Sequence, residues 1–462
     1  MRNCFKVLAI VVFLVFGAAL WSQTVPSGVL RVGAAKVDIT PAENELPKQY
    51  LGILDHVWSR AIFIDNGKAS AVLISLDAGG LPTQVAKTIR DRVEKEFGVP
   101  AVNVLISGTH THSAPFIGFA FGPNHENAPS TKPYEDKVIA TVKAAKDALQ
   151  PAHVKYGTGV SYLNIQRDRI DPVTHKWWEG ANYDGLSDKT VAVIKFESVN
   201  GEPIAVYYNY AMHAVITGNL DLVSGDFPGA ASRYIERALG DKAVALFASG
   251  AAGDQNPIYF QQTYDLREIR TKDYAKRGID ISNSMPPGGQ GLDRNNPEVA
   301  RLMTEQKEMS NSMGQLLGEE VLHAIREAKP GDAEARIFGK ETTITCPGRE
   351  RTNEGRGGIS GTYKDGPPVQ IQLGLLMIND IAIGAVNGEV YNEIAQRLKK
   401  ESPFVRTFMI TVTNGFANSG YIPDDASFGH NTFEVLSSRL QPGCAETGIV
   451  EGIIGMMPKI VY

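Results

Sequence analysis

The sequence predicts an α/β fold: a large mixed sheet flanked by helices, with an active site at the carboxyl ends of the strands. Three observations predict it. Short, continuous apolar runs rich in β-formers recur along the chain, an amphipathic helical pattern separates the first two of them, and residues able to do chemistry stand just past several run ends.

The first run is Ala71–Leu76, bounded by Asp77 and Gly79, and reads as a buried strand. From Leu81 to Phe97, apolar residues fall at Leu81, Val85, Ile89, Val93 and Phe97 with Lys and Arg between them, and Gly98 follows as a natural helix terminator. A second run, Val102–Ile106, completes a strand–helix–strand unit with parallel pairing. Further strands are expected at Val191–Phe196, Ile204–Tyr210, Ala243–Phe247, Ile381–Val386 and Phe408–Val412, and helices at Gly229–Leu239, Glu298–Ala328 and Val390–Lys400. Ser282–Pro297 and Cys346–Pro368 break this rhythm and read as long surface loops of the kind that serve as lids or binding loops. No internal repeat is present, so the segments read as one large domain.

The 462 residues, 43% of them hydrophobic, are enough to bury a sizeable core. A net charge of −5 with no basic block gives no reason to expect a nucleic-acid partner. Arg2 and Lys6 precede an apolar run from Val7 to Leu20 that is shorter than the roughly 20 residues a spanning helix needs. Residues 1–22 therefore read as a signal peptide, with secretion or a periplasmic location as the consequence and an uncleaved anchor as the alternative. Of three cysteines, Cys346 and Cys444 remain after its removal, either bridged or as two thiols. No Cys-x-x-Cys pair supports a thiolate metal site.

Directly after the Val102–Ile106 run stands Ser107-Gly-Thr-His110-Thr-His112-Ser113. If the chain stays extended there, both imidazoles share one face, as a metal or acid/base pair. The Ile204–Tyr210 run leads into His213 and the turn Ser224-Gly-Asp226, the Ile381–Val386 run into Asn387-Gly-Glu389, and the Phe408–Val412 run into Asn414-Gly415 and then Tyr421. Ligands of α/β sheets bind beyond the carboxyl ends of the strands, so this placement favours one site. Two imidazoles, an acidic oxygen and a weaker oxygen suit a catalytic zinc, with the remaining His able to carry a proton. The turn Ser249-Gly-Ala-Ala-Gly253-Asp254 either offers backbone N–H groups to an oxyanion or is a tight strand-to-loop turn. Asp38, Asp77 and Asp226 either orient the His ligands or cap turns and helices.

The His110-Thr-His112-Ser113 motif resembles the neutral/alkaline ceramidase family. So do Val32-Gly-Ala-Ala-Lys-Val-Asp38-Ile-Thr-Pro41, Tyr210-Ala-Met-His213, Ser224-Gly-Asp226 and Asn387-Gly-Glu389, in the family's order over most of residues 30–425. The resemblance implies a zinc-dependent amidohydrolase that cleaves the N-acyl bond of ceramide-like sphingolipids, with one Zn2+ per chain. It places His110, His213, Glu389 and Tyr421 on the metal, His112 beside it as the catalytic residue, and Arg167, in Asn164-Ile-Gln-Arg167, against the substrate. The partner it implies is a lipid or other N-acyl small molecule, with peripheral membrane contact. Two segments depart from the family pattern. Ser113-Ala-Pro-Phe-Ile-Gly118 carries Phe116 and Ile117 where small residues are expected, and the stretch after Tyr421 keeps only Asn431-Thr-Phe-Glu434 and Arg439 of an acidic, aromatic motif. Residues 23–462 are expected to form the catalytic domain without the immunoglobulin-like domain of full-length members. The alternatives are a zinc amidase for a smaller N-acyl compound and a non-catalytic secreted protein that binds a lipid or glycan.

Overall fold

The computed structural model describes residues 25–47, 50–115, 131–281, 292–328 and 331–458. The expected signal peptide, Phe116 and Ile117, and most of the Ser282–Pro297 segment lie outside the described residues.

The apolar runs form two large sheets rather than one. The eight-stranded sheet runs, in spatial order, through Val244–Ser249, Pro203–Tyr210, Thr190–Ser198, Gln150–Val160, Arg31–Asp38, Trp58–Asp65, Ser70–Leu76 and Val104–Gly108. The five-stranded sheet runs through Ser27–Val29, Glu334–Arg351, Tyr363–Ile378, Ile381–Val386 and Arg406–Ile410. They lie face to face: Ile62, Leu73, Ile194 and Leu246 of the first share one core with Ile337, Leu376, Ile383 and Phe408 of the second. An apolar run reports that both faces of a strand are buried. A single sheet between helices and two stacked sheets with helices outside satisfy that condition equally, which is why composition does not separate them.

Helices cover the outer faces. Thr83–Phe97 and Lys132–Asp147 cover one half of the eight-stranded sheet, through Val85, Ile89, Val93, Val138 and Val142. Asp226–Ala238 and Pro297–Glu327 cover the other half, through Phe227, Ile235, Leu317 and Val321. Asn392–Glu401 and Ala445–Met456 cover the five-stranded sheet. The first helix ends as its sequence predicts, with Gly98 in the left-handed region at φ 76°.

In the two large sheets, each parallel strand pair is closed by a helical crossover. Ser70–Leu76 pairs with Val104–Gly108 across Thr83–Phe97, Pro203–Tyr210 with Val244–Ser249 across Asp226–Ala238, and Ile381–Val386 with Arg406–Ile410 across Asn392–Glu401. The carboxyl ends of all three pairs meet at one place, where the candidate residues stand. Element boundaries shift by a few residues from expectation, and two of the shifts bear on the site. Ala101–Asn103 is a 3-10 turn before its strand, and Glu389–Val390 pairs in parallel with Tyr421–Ile422, delaying the following helix to Asn392.

Cys346–Pro368 is not a long loop. The strand continues through Cys346 to Arg351 and resumes at Tyr363, so the segment is the tip of a long hairpin that turns over residues 352–362. Its glycines imitate loop composition for a steric reason: a Cβ on Gly348 would lie 1.9 Å from the Pro367 carbonyl oxygen. Cys346 and Cys444 form a disulfide that ties this hairpin to the segment before the last helix. The bridge spans 98 residues of sequence, so Cys444→Ser is expected to lower unfolding free energy by about 2–5 kcal/mol. Urea titration of the wild type and the variant measures this, and equal midpoints would show that the bridge contributes nothing.

Candidate metal centre

The turn after the Ser70–Leu76 strand shapes the His110 segment. Thr109 N–H donates to the Leu76 carbonyl (2.8 Å), His110 N–H to that of Ala78 (3.0 Å), and His110 Nδ1 to that of Gly79 (2.6 Å). To follow this turn His110 takes a left-handed conformation, φ 62°, so the chain is not extended at the motif as the sequence suggests. The two imidazoles meet all the same, edge to face, with ring centroids 5.1 Å apart.

His213 is held by the Ser249–Asp254 turn. Its backbone N–H donates to Gln255 (3.0 Å) and its Nδ1 to the Ala252 carbonyl (2.8 Å). The Gly250 amide is bonded to Tyr210 and the Gly253 amide to Val390, and the turn presents carbonyls to the site, so the tight-turn reading holds over the oxyanion one. Gly253 is required by close approach: a Cβ there would lie 2.8 Å from the Val390 oxygen and 3.0 Å from the Glu389 oxygen.

Three atoms converge. His110 Nε2 is 3.1 Å from His213 Nε2, and each is 3.2 Å from Glu389 Oε2. A carbonyl only accepts, so both Nδ1 atoms carry a proton, and in the neutral imidazoles both Nε2 atoms present lone pairs. Two lone pairs and a carboxylate oxygen facing one another repel unless a cation lies among them. Ligands on tetrahedral bonds of 2.0–2.1 Å are about 3.3 Å apart, close to the observed triangle. The donor set therefore fits a small divalent metal. His112 belongs to the same cluster: the ligand atoms of His110, His112 and His213 all lie within 4.8 Å of one another.

Burial alone would lower the His110 imidazole, but Glu389 raises it above its ordinary value, so a positive charge is favoured at this position. Burial alone would raise the Glu389 carboxyl, but the charges and hydrogen bonds of His110 and His213 hold it well below the usual carboxylate range. Burial pushes His213 down to about 4. Burial, and then His110 and His213, hold His112 well below the ordinary imidazole range.

Tyr421 lies in register beside Glu389, its ring 6.3 Å from that of His213. Burial, then Glu389, hold its phenol protonated far above neutral pH. Arg167 is buried behind it, its guanidinium carbon 5.3 Å from the Tyr421 ring. Its groups donate to Asn256 Oδ1 (3.1 Å) and the Gly253 carbonyl (2.5 Å), and its Nε forms an ion pair with Glu434 (3.0 Å). All six sequence-predicted residues thus come together, four around the cation position and its edge, Tyr421 beside them and Arg167 one layer back.

The three aspartates do not orient the His ligands; backbone carbonyls do. Asp38 caps Thr40 and pairs with His56, Asp77 binds Arg60 and the Trp58 amide, and Asp226 accepts from Thr217. Thr217 in turn bonds Ser113, fixing the far end of the His110–Ser113 segment. Asn256 went unrecognised in the sequence, and Gly253 and Glu434 were noted there only within a turn and a reduced motif, without the roles the structure gives them.

The family model for neutral/alkaline non-lysosomal ceramidase, N-terminal, matches residues 30–365. The chain belongs to this family. Among curated ceramidase relatives, neutral ceramidase B of Dictyostelium discoideum is 29% identical over 49% of this chain and 35% of its own length. Neutral ceramidase of Drosophila melanogaster is 28% identical over 53% of this chain and 38% of its own. The chain thus spans well under half the length of these relatives. A solved structure described as ceramidase complexed with C2 superposes with a TM-score of 0.67 at 17% identity, over 93% of this chain and 74% of that one. Crystalline neutral ceramidase from Pseudomonas aeruginosa gives 0.65 at 16%, with the same coverage. At these identities the superpositions establish the shared ceramidase fold.

His213→Ala is expected to leave a folded protein that has lost its metal. Gly253→Ala, which moves the Glu389 backbone without touching a ligand, is expected to weaken metal binding about 10- to 100-fold. Elemental analysis and competition with a chromogenic chelator measure both; full metal in a folded His213→Ala protein would refute the triangle as the metal site.

Proposed function

We propose that this chain is a zinc-dependent hydrolase that cleaves the N-acyl amide bond of ceramide-like lipids to a sphingoid base and a fatty acid. The observation that carries the reading is the triangle of His110 Nε2, His213 Nε2 and Glu389 Oε2 with a third imidazole, His112, against it. Family membership supports the bond type, as do the relatives named neutral ceramidase.

Two imidazoles, a carboxylate and the neighbouring Tyr421 oxygen form a mixed N/O set that suits zinc among the common divalent metals. When bound, zinc lowers the pKa of a water to about 7 and polarises a carbonyl. The chain's own groups do the rest. His110 and His213 are held in one tautomer by the Gly79 and Ala252 carbonyls, so their lone pairs are presented without rearrangement. His112, kept neutral, takes the proton of the attacking water and returns it to the amide nitrogen, which leaves as an amine. Tyr421, its phenol protonated, would lend a neutral oxygen to the metal position, with Arg167 fixing the ring from behind. Arg167 thus acts through Tyr421.

The same reading assigns the chain to a secreted or periplasmic location, supported by the apolar Val7–Leu20 segment and by the Cys346–Cys444 bridge, a bond that persists in oxidising compartments. Contact with a membrane surface while collecting lipid substrate is part of the proposal. Among the described residues no helix is long and apolar enough to cross a membrane.

His112→Ala is expected to keep its zinc and lose about 10²- to 10⁴-fold in kcat with KM little changed. Because His112 must be neutral and its environment disfavours the charged form, the acidic limb of the kcat/KM profile is expected below pH 6.5, the ordinary imidazole value. Short-chain fluorescent ceramide hydrolysis measures both. A His112→Ala enzyme of wild-type activity would end the role given to this residue.

A further inference from the structure

The long hairpin of Glu334–Arg351 and Tyr363–Ile378 forms one wall of a cavity of about 940 Å³ that the chemistry above does not use. Residues 416–418 and 436–439 form other walls, and no member of the metal cluster lines it. Its volume lies in the range of sites that take a whole small molecule.

Arg349, Arg351 and Arg439 line this cavity together. The backbone sets them side by side. Arg349 and Arg351 stand two apart on one strand and so share a face, and the Arg349 N–H donates to the Arg439 carbonyl (2.8 Å). Among the described residues none of the three pairs with a carboxylate, and every group they bond is neutral. Arg349 donates to the Ser438 (3.1 Å) and Val435 (2.7 Å) carbonyls, Arg351 to the Asn353 side chain and to the Gly355 and Glu354 carbonyls, and Arg439 to Asn418 Oδ1 (2.5 Å). The acidic side chain of the described lining, Glu350, is matched by Lys364 at 2.9 Å. Three cationic side chains therefore stand at one cavity without a counter-charge of their own.

Arg349 separates this cluster from an ordinary solvated one. It is only 9% exposed, with its guanidinium carbon 3.8 Å from the centre of the Tyr363 ring and 4.9 Å from that of Phe428. A charge taken out of water and met only by carbonyls and ring faces is costly to hold, and burial keeps this guanidinium below its ordinary range. An anion in the cavity would offset that cost, and arginine binds carboxylate and phosphate oxygens through paired N–H donors. Beside the arginines, Thr343 and Gln370 on the two hairpin strands and Asn418 opposite offer hydroxyl and amide groups, which suit a hydroxyl-bearing body.

We propose that this cavity is a second binding site, separate from the metal centre, for an anionic oxygen group, phosphate or carboxylate, carried on a sugar.

Calorimetric titration of the protein with glucose 6-phosphate, glucuronate and glucose tests it. At least one anionic sugar is expected to bind about tenfold or more tightly than glucose, and the one that responds identifies phosphate or carboxylate. Arg349→Gln and Arg439→Gln are each expected to weaken that binding about tenfold, and Arg349→Lys to keep part of it. Arg439 is exposed, so its variant carries the test should Arg349→Gln fail to fold. The metal-free His213→Ala protein is expected to bind the same sugar with unchanged affinity. Anion binding that disappears with the metal would belong to the metal centre and overturn the proposal, as would binding no tighter than glucose by both anionic sugars, or a preference untouched by the arginine substitutions.

Discussion

Three electron-rich atoms held within 3.2 Å of one another are the constraint on which the rest of this structure depends. Left alone, such an arrangement would relax by a ring flip or a change of tautomer. Neither is open to it, because each Nδ1 is committed to a backbone carbonyl. Those carbonyls belong to turns that are themselves pinned. The Leu76–Gly79 turn is fixed by the buried Arg60–Asp77 pair (2.8 Å) and by the Trp58 amide on the same aspartate, and the Ser249–Asp254 turn by Gly253 against Val390. The lone pairs are pre-aimed, and the energy of holding them there is recovered only when a cation is shared.

The two-sheet architecture explains how such a cage is assembled. His110 and His213 extend from the eight-stranded sheet and Glu389 from the five-stranded one, so the cage spans the seam between them. The seam is stitched at the strand ends. Ser107 and Thr413 form an isolated bridge and share a hydroxyl contact of 2.9 Å, Asn414 bonds the Ile106 backbone through both main chain and side chain, and Thr411 donates to Ser249. The cost is visible nearby. His110, Val412 and Asn414 all carry positive φ, and for Val412, a β-branched residue, that conformation is a genuine outlier. Strain gathered where the sheets join is what allows two independently twisted surfaces to place three ligand atoms in one small triangle.

The same division decides how much the sequence discloses. Apolar runs and helical periodicity report which residues are buried, and nearly every strand and helix read from them exists, Ile381–Val386 to the residue. They do not report what a face is buried against, so the second sheet is invisible to them. The glycine-rich Cys346–Pro368 hairpin misleads for a related reason, since a tight backbone crossing and a flexible loop call for the same residue. At the site, side-chain ligands are legible because His and Glu past a strand end are rare enough to notice. Backbone carbonyls carry no residue identity, and the groups that orient the ligands here are carbonyls, not the three aspartates suggested by composition.

Glu434 shows how a departure from a family motif can preserve its physics. Arg167 is buried one layer behind the cage, and a divalent cation balanced only by Glu389 leaves the cage with a net positive charge, which makes a second buried cation beside it unfavourable. Glu434, wholly buried and 3.0 Å from Arg167, cancels that charge locally. Burial raises the Glu434 carboxyl to about 8 and Arg167 is the first influence opposing that rise, so Glu434 offsets the Arg167 charge in full only above that pH. With the pair intact, the guanidinium can lie against Tyr421 as a neutral-pair partner, fixing the phenol without imposing a field on the metal position. The acidic residue of Asn431-Thr-Phe-Glu434 is therefore the one that answers the buried Arg167.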